Sequence, residues 1–81
     1  MLIVTAKLVE LRGVVNKFTK SGTPYFLVNV EDNEGNPYQF YCKDFNALEQ
    51  GLKKGDLVDV DFEYKKYNNE ESLVIHKLYK S

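Results

Sequence analysis

The sequence predicts an all-β chain folded as a five-stranded OB-fold barrel, with one short helix between the third and fourth strands. Two observations carry this expectation. Apolar residues alternate at period two in five separate runs, and the only helix-like pattern falls between the third and fourth of them. That is the order of elements in an OB barrel, whereas an SH3-like barrel usually lacks a helix at that point. A third feature agrees. Gly13 interrupts the first run, as a glycine does where a strand bends around a barrel corner.

The first strand spans residues 2–18, with Leu2, Val4, Ala6 and Leu8 on one face and Ile3, Thr5, Lys7 and Val9 on the other. Gly22, free to take positive φ, and Pro24, which lacks an N–H, then mark a turn and the start of a strand. In that second strand, Tyr25 to Glu31, the residues Phe26, Val28 and Val30 form the core face. Tyr25, Leu27 and Asn29 point outward, because a buried Asn29 would need hydrogen-bond partners. Residues 32–37 make a polar hairpin turn. The third strand, Tyr38 to Lys43, turns Tyr38, Phe40 and Cys42 to one side and Gln39, Tyr41 and Lys43 to the other.

Asp44 is an N-cap residue, Phe45, Leu48 and Leu52 fall at helical spacing, and Gly51 ends the segment, so a helix of about two turns is expected. In the fourth strand Val58, Val60, Phe62 and Tyr64 face in, with Asp59, Asp61 and Glu63 out. Lys65 to Ser72 is a polar hairpin carrying Tyr67. The fifth strand, Leu73 to Lys80, sets Leu73, Ile75 and Lys77 against Val74, His76 and Leu78.

Composition narrows the function. Eighty-one residues, 43% of them hydrophobic and 28% charged, make one folded domain, residues 1–81. No stretch approaches the roughly 18 apolar residues of a membrane span. The apolar start lacks the basic region and cleavage site of a signal peptide. The single Cys42 has no internal disulfide partner, which suits a reducing cytoplasm. No zinc-ligand spacing occurs, and no cofactor or small-molecule substrate is expected. The formal net charge of −1 argues against a binder held by bulk positive charge. The distribution is uneven, however: from Leu11 to Val30 the charged residues are Arg12, Lys17 and Lys20, and acids collect in the 31–34 turn, the fourth strand and Glu70-Glu71.

An outward aromatic beside cations on a sheet is how unpaired bases are read without sequence preference. Tyr25, Leu27, Tyr38 and Tyr41 are therefore the candidate base contacts, and Arg12, Lys17, Lys20, Lys43 and Lys77 the candidate phosphate contacts. Each of those lysines, taken singly, is also an ordinary solvated surface charge. Cys42 and His76 are the one pair that invokes nucleophilic catalysis, but a strand-face cysteine is normally a small buried hydrophobe and no orienting carboxylate follows. Asp59, Asp61 and Glu63 lack the loop glycines of a calcium site and read as a solvated face.

Three segments resemble a known family. Gly22-Thr23-Pro24-Tyr25-Phe26-Leu27 is similar to the G-x-P-Y-x-L segment of the filamentous-phage helix-destabilising proteins, which bind single-stranded DNA. Gly35-Asn36-Pro37-Tyr38, followed by Lys43, is similar to their G-N-x-Y segment with its later lysine. Ser72 to Leu78 resembles their last strand, S-L-x-I-x-R-L, with Lys77 for the arginine. The resemblance implies a DNA groove holding Lys20, Tyr25, Leu27, Tyr38, Lys43 and Lys77, and a homodimer around the fourth-to-fifth hairpin that binds cooperatively in a host cytoplasm. Val15 stands where the family carries a basic residue, Lys17 being the nearest substitute, and Tyr67 is nearest to the family's hairpin-tip aromatic.

The sequence thus points to a non-enzymatic protein that coats single-stranded DNA in phage or plasmid replication, with no membrane partner. An unpartnered two-stranded ribbon is marginal in water, so a homodimer with Tyr67 at its axis is expected. The alternative is an OB-type protein-interaction module that binds no nucleic acid, which the charge of −1 favours. A cold-shock-like RNA chaperone lacks support, because its K-G-F-G-F type aromatic run is absent.

Overall fold

Every strand of a closed five-stranded sheet has two neighbours, and the first divides its length between its two, one half to each. The computed structural model describes all residues except Met1, Asn68 and the side chain of Tyr67. In it, β1 (Ile3–Phe18) pairs through its first half with β4 (Leu57–Tyr67) and through its second half with β2 (Pro24–Glu31). β3 (Pro37–Cys42) and β5 (Glu70–Lys80) complete a closed barrel in the order β1-β2-β3-β5-β4. Every pairing is antiparallel except that of β3 with β5, which rests on one register pair, Tyr41 with Val74. This is the OB barrel the sequence predicts.

The bend in β1 is built from two bulges. The expected one lies at Gly13: the register passes from Leu11–Val30 to Gly13–Asn29 and leaves Arg12 as the extra residue. The other was not legible. Between Ala6 and Val9 the pairing with β4 shifts, and Leu8 adopts a left-handed φ of 56°. That conformation is costly for a side chain with a Cβ. It is held by the Leu8 N–H, which donates to Asp59 Oδ1 at 3.0 Å. The bulge breaks the predicted alternation: Ala6 and Val9 both pack inward, while Leu8 is thrown out to solvent.

Elsewhere the alternation holds. Val28 and Val30, Phe40 and Cys42, and Val58 and Val60 fill the interior from β2, β3 and β4. β5 again departs. A register shift opposite Asp61 and Phe62 makes His76 the extra residue, so Leu73, Ile75 and Leu78 face in and Lys77 faces out with Val74. Tyr64 keeps inward parity yet is about half exposed (52%), because β4 and β5 run past the barrel as a ribbon.

The expected two-turn helix is a single 3₁₀ turn, Phe45–Ala47. Asp44 caps it as predicted, accepting the Asn46 N–H at 2.9 Å. The segment then extends, because the barrel recruits it. Leu48 enters the core and bridges to Leu78, and the Glu49 N–H donates to the Leu78 carbonyl at 2.8 Å. Core burial and a strand-like partner outweigh a short helix that would gain little alone.

The left-handed bulge is directly testable. Leu8→Asn, which tolerates positive φ, should keep or raise the melting temperature, and Leu8→Val should lower stability by about 1 kcal/mol or more, since β-branching makes that conformation a true outlier.

Candidate nucleic-acid interface

β2 and β3 present a continuous outer face because their register puts like parities opposite each other. Leu27 lies across from Tyr41 and Asn29 from Gln39; on the other side, β1 sets Lys17 against Tyr25 and Val15 against Leu27. The outward placement predicted for Tyr25, Leu27 and Asn29 is the one observed. Asn29 Oδ1 accepts from Gln39 Nε2 at 3.1 Å, so the two amides satisfy each other across the strands. The rings of Tyr25 and Tyr41 meet diagonally, with centroids 5.0 Å apart and planes tilted by 35°. Lys43 Nζ stands 6.0 Å from the Tyr41 ring centroid. Lys20 is exposed on the β1–β2 turn, which Gly22 closes at φ 86° with its N–H on the Thr19 carbonyl.

Tyr41 forms a ridge between two grooves. Their cause is the single pairing of β3 with β5, beyond which the β4–β5 ribbon diverges from β3. One groove, of about 400 Å³, runs beside Leu27, Gln39, Tyr41, Tyr64 and Glu71. The other, of about 440 Å³, lies between Tyr41, Lys43, Lys65, Ser72 and Val74. Lys65, which the sequence places on the polar hairpin, and Tyr64, which it places in the core, both line these grooves. Their signal was the outward and inward parity of a ribbon whose angle to β3 no local pattern encodes.

Three candidates lie apart from this cluster. Arg12, the bulged residue, is paired with Glu10 and, at 3.0 Å, with Glu31, and those carboxylates hold its guanidinium above its ordinary pKa. Lys77 faces Asp61 across β4–β5, with Nζ 5.4 Å from the Tyr79 ring centroid. Tyr38 has core parity and stands at a separate mouth of the barrel beside Ala6, Val9 and Phe62, its hydroxyl 3.4 Å from Asp32 Oδ2. The Tyr67 side chain, assigned to a dimer axis, lies outside the described residues. Cys42 is fully buried; burial pushes its thiol pKa up, and Sγ donates to the Asp44 carbonyl. His76 is engaged with Glu63 at 2.9 Å. Neither residue is set toward the other. Among the described residues, no group of three or more acidic, histidine or cysteine side chains is placed to hold a metal ion, and no helix is long and apolar enough to cross a membrane.

The acids of β4 occupy another part of the barrel surface and are engaged by the fold itself. The Leu8 N–H draws Asp59 below the usual carboxylate range, and the His76 hydrogen bond does the same for Glu63. Asp61 accepts from Thr5 Oγ1 at 2.7 Å and from the Tyr79 hydroxyl at 3.3 Å. In the β2–β3 turn, Asp32 is lowered chiefly by the Asn36 N–H.

No protein-family model matches the chain, and no curated protein does. The likeness to the phage proteins therefore rests on its three short segments. Among solved structures, the second OB-fold domain of replication protein A from Methanococcus maripaludis aligns with a TM-score of 0.50 and 18% identity, over 96% of this chain and 80% of that one. At that identity the match establishes a shared OB fold.

Folded-state pKa values below the ordinary carboxylate range mean that Asp32, Asp59 and Glu63 stabilise the fold at neutral pH. That contribution is lost as pH falls from about 4 through the depressed values. Thermal melts from pH 6 to pH 3 should therefore show a falling midpoint, and Asp59→Asn should flatten the fall.

Proposed function

We propose that this chain binds single-stranded DNA along the outer face of β2 and β3, with the β4–β5 ribbon as the far wall. The observation that carries the reading is the Tyr25–Tyr41 pair, its rings 5.0 Å apart on an outer sheet face with Lys43 beside it. Outward aromatic rings offer stacking surface to every base, and Lys17, Lys20, Lys43 and Lys65 flank them for the phosphates. The fold neighbour belongs to a replication protein, which accords with this role. Residues 1–81 act as one binding unit, and the likeness to the phage proteins supports coating of single strands during phage or plasmid replication. The same likeness supports a homodimer around the β4–β5 hairpin, and the role is binding rather than catalysis.

A second reading has its own support. The net charge of −1, with Leu2 and Leu8 exposed on β1's side of the barrel, favours an OB module that binds another protein and no nucleic acid.

Titration with short oligo-dT, followed by tyrosine fluorescence, separates them. Tyr25→Ala and Tyr41→Ala should each weaken binding by ~1–3 kcal/mol, the worth of one stacked base, while the fold survives. Unchanged affinity in both variants, or no binding by the parent chain, would reject the DNA reading.

Salt dependence supplies a second check. Four flanking lysines at about 0.7 each give a slope near 3 in log K against log salt. Lys43→Ala should lower it, whereas Arg12→Ala, whose side chain is held by two carboxylates, should leave it nearly unchanged.

A further inference from the structure

The groove between Tyr41 and Tyr64 contains one residue that a site for phosphates alone does not explain. Its volume is about 400 Å³, within the range of small-ligand pockets. Its walls are the two tyrosines with Leu27 and Leu73, and its polar side chains are Gln39 and Glu71. A carboxylate there repels phosphate. The Tyr64 hydroxyl beside it supplies one hydrogen bond, and its remaining lone pairs attract further donors; the donors that accompany phosphates are on the bases.

The four bases differ in what their unpaired Watson–Crick edges offer two acceptor oxygens side by side. Guanine presents two adjacent donors, N1–H and N2–H. Cytosine and adenine each set one donor beside a ring-nitrogen lone pair, and thymine sets one donor between two carbonyl oxygens. Only guanine meets a carboxylate with no lone pair facing it. Its O6 then requires a donor, and the same walls carry Gln39, whose amide has a second N–H besides the one spent on Asn29.

We propose that this groove takes a single guanine base, stacked against Tyr41 and read through N1–H and N2–H by the carboxylate of Glu71. The inference rests on the single-stranded-DNA reading above and adds a base preference to it.

The test uses the full chain and an oligo-dT of about nine nucleotides, within the span of one OB fold, with one central thymidine replaced. Deoxyguanosine should tighten binding about tenfold, as a bidentate base contact does. Deoxyinosine, which lacks the N2 donor, should lose most of that gain. The 7-deaza analogue, altered away from the Watson–Crick edge, should keep it. Glu71→Gln replaces one acceptor by a donor and should erase the guanine-to-thymine ratio, whatever removal of the charge does to both affinities. Equal binding of the guanine and thymine oligonucleotides overturns the inference and leaves the general reading standing. A gain that persists with inosine or in Glu71→Gln also overturns it. A chain that binds none of the oligonucleotides overturns both.

Discussion

The structure depends on the bend of β1. A strand that pairs with β4 through one half and with β2 through the other closes the barrel, and the closed barrel removes the unpaired edges that a small sheet otherwise exposes. The bend is not free. It uses an extra residue at Arg12 and a left-handed Leu8, and each is held by carboxylates on neighbouring strands: Glu31 on β2 for Arg12, Asp59 on β4 for the Leu8 N–H. Two residues of the acidic complement are thereby tied to barrel closure. The acidic balance of the chain is in this part a structural requirement.

That division of labour reconciles a net charge of −1 with a basic, aromatic face. Asp59, Asp61 and Glu63 are occupied by Leu8, Thr5, Tyr79 and His76 on the surface of β4 and β5. The molecule measures 34 × 25 × 21 Å. At about 0.1 M salt, charges more than about 10 Å apart are largely screened from each other. A strand of nucleic acid on β2 and β3 would therefore respond to Lys17, Lys20 and Lys43 more than to the total.

Much of the fold was legible because side-chain parity along β2, β3 and β4 follows a period of two, and Asn29 resolved which face of β2 was buried. The bulge at Gly13 was legible because glycine marks it. The bulges at Leu8 and His76 were not, since neither position carries a glycine or asparagine, and each shifts everything beyond it to the other face. Lys77 is the consequence: alternation paired it with Leu73 and Ile75, whereas the bulge at His76 carries it to the side of Asp61. The 44–52 segment misled in another way. Its helical spacing of Phe45, Leu48 and Leu52 is real, but Leu48 finds Leu78 and the core, while Phe45 packs on Phe26 at 5.3 Å.

The candidate site was half legible for a related reason. Rows on one strand, and rows across a hairpin with a known turn, follow from sequence: hence Tyr25, Leu27, Tyr41 and Lys43. The grooves beside Tyr41 arise where β3 meets β5, a parallel contact between strands separated by the 44–52 segment and all of β4. No turn sets that register. The contact narrows to Tyr41 and Val74, and beyond it the ribbon is free to diverge. Had the parallel pairing run further, β5 would lie flat against β3 and close both grooves. Tyr41 would then be one aromatic in a continuous sheet. Because the pairing stops there, the same side chain packs on Tyr25, borders Lys43 and walls a cavity with Tyr64. The shortness of that one ladder is what converts a barrel wall into a surface with depth.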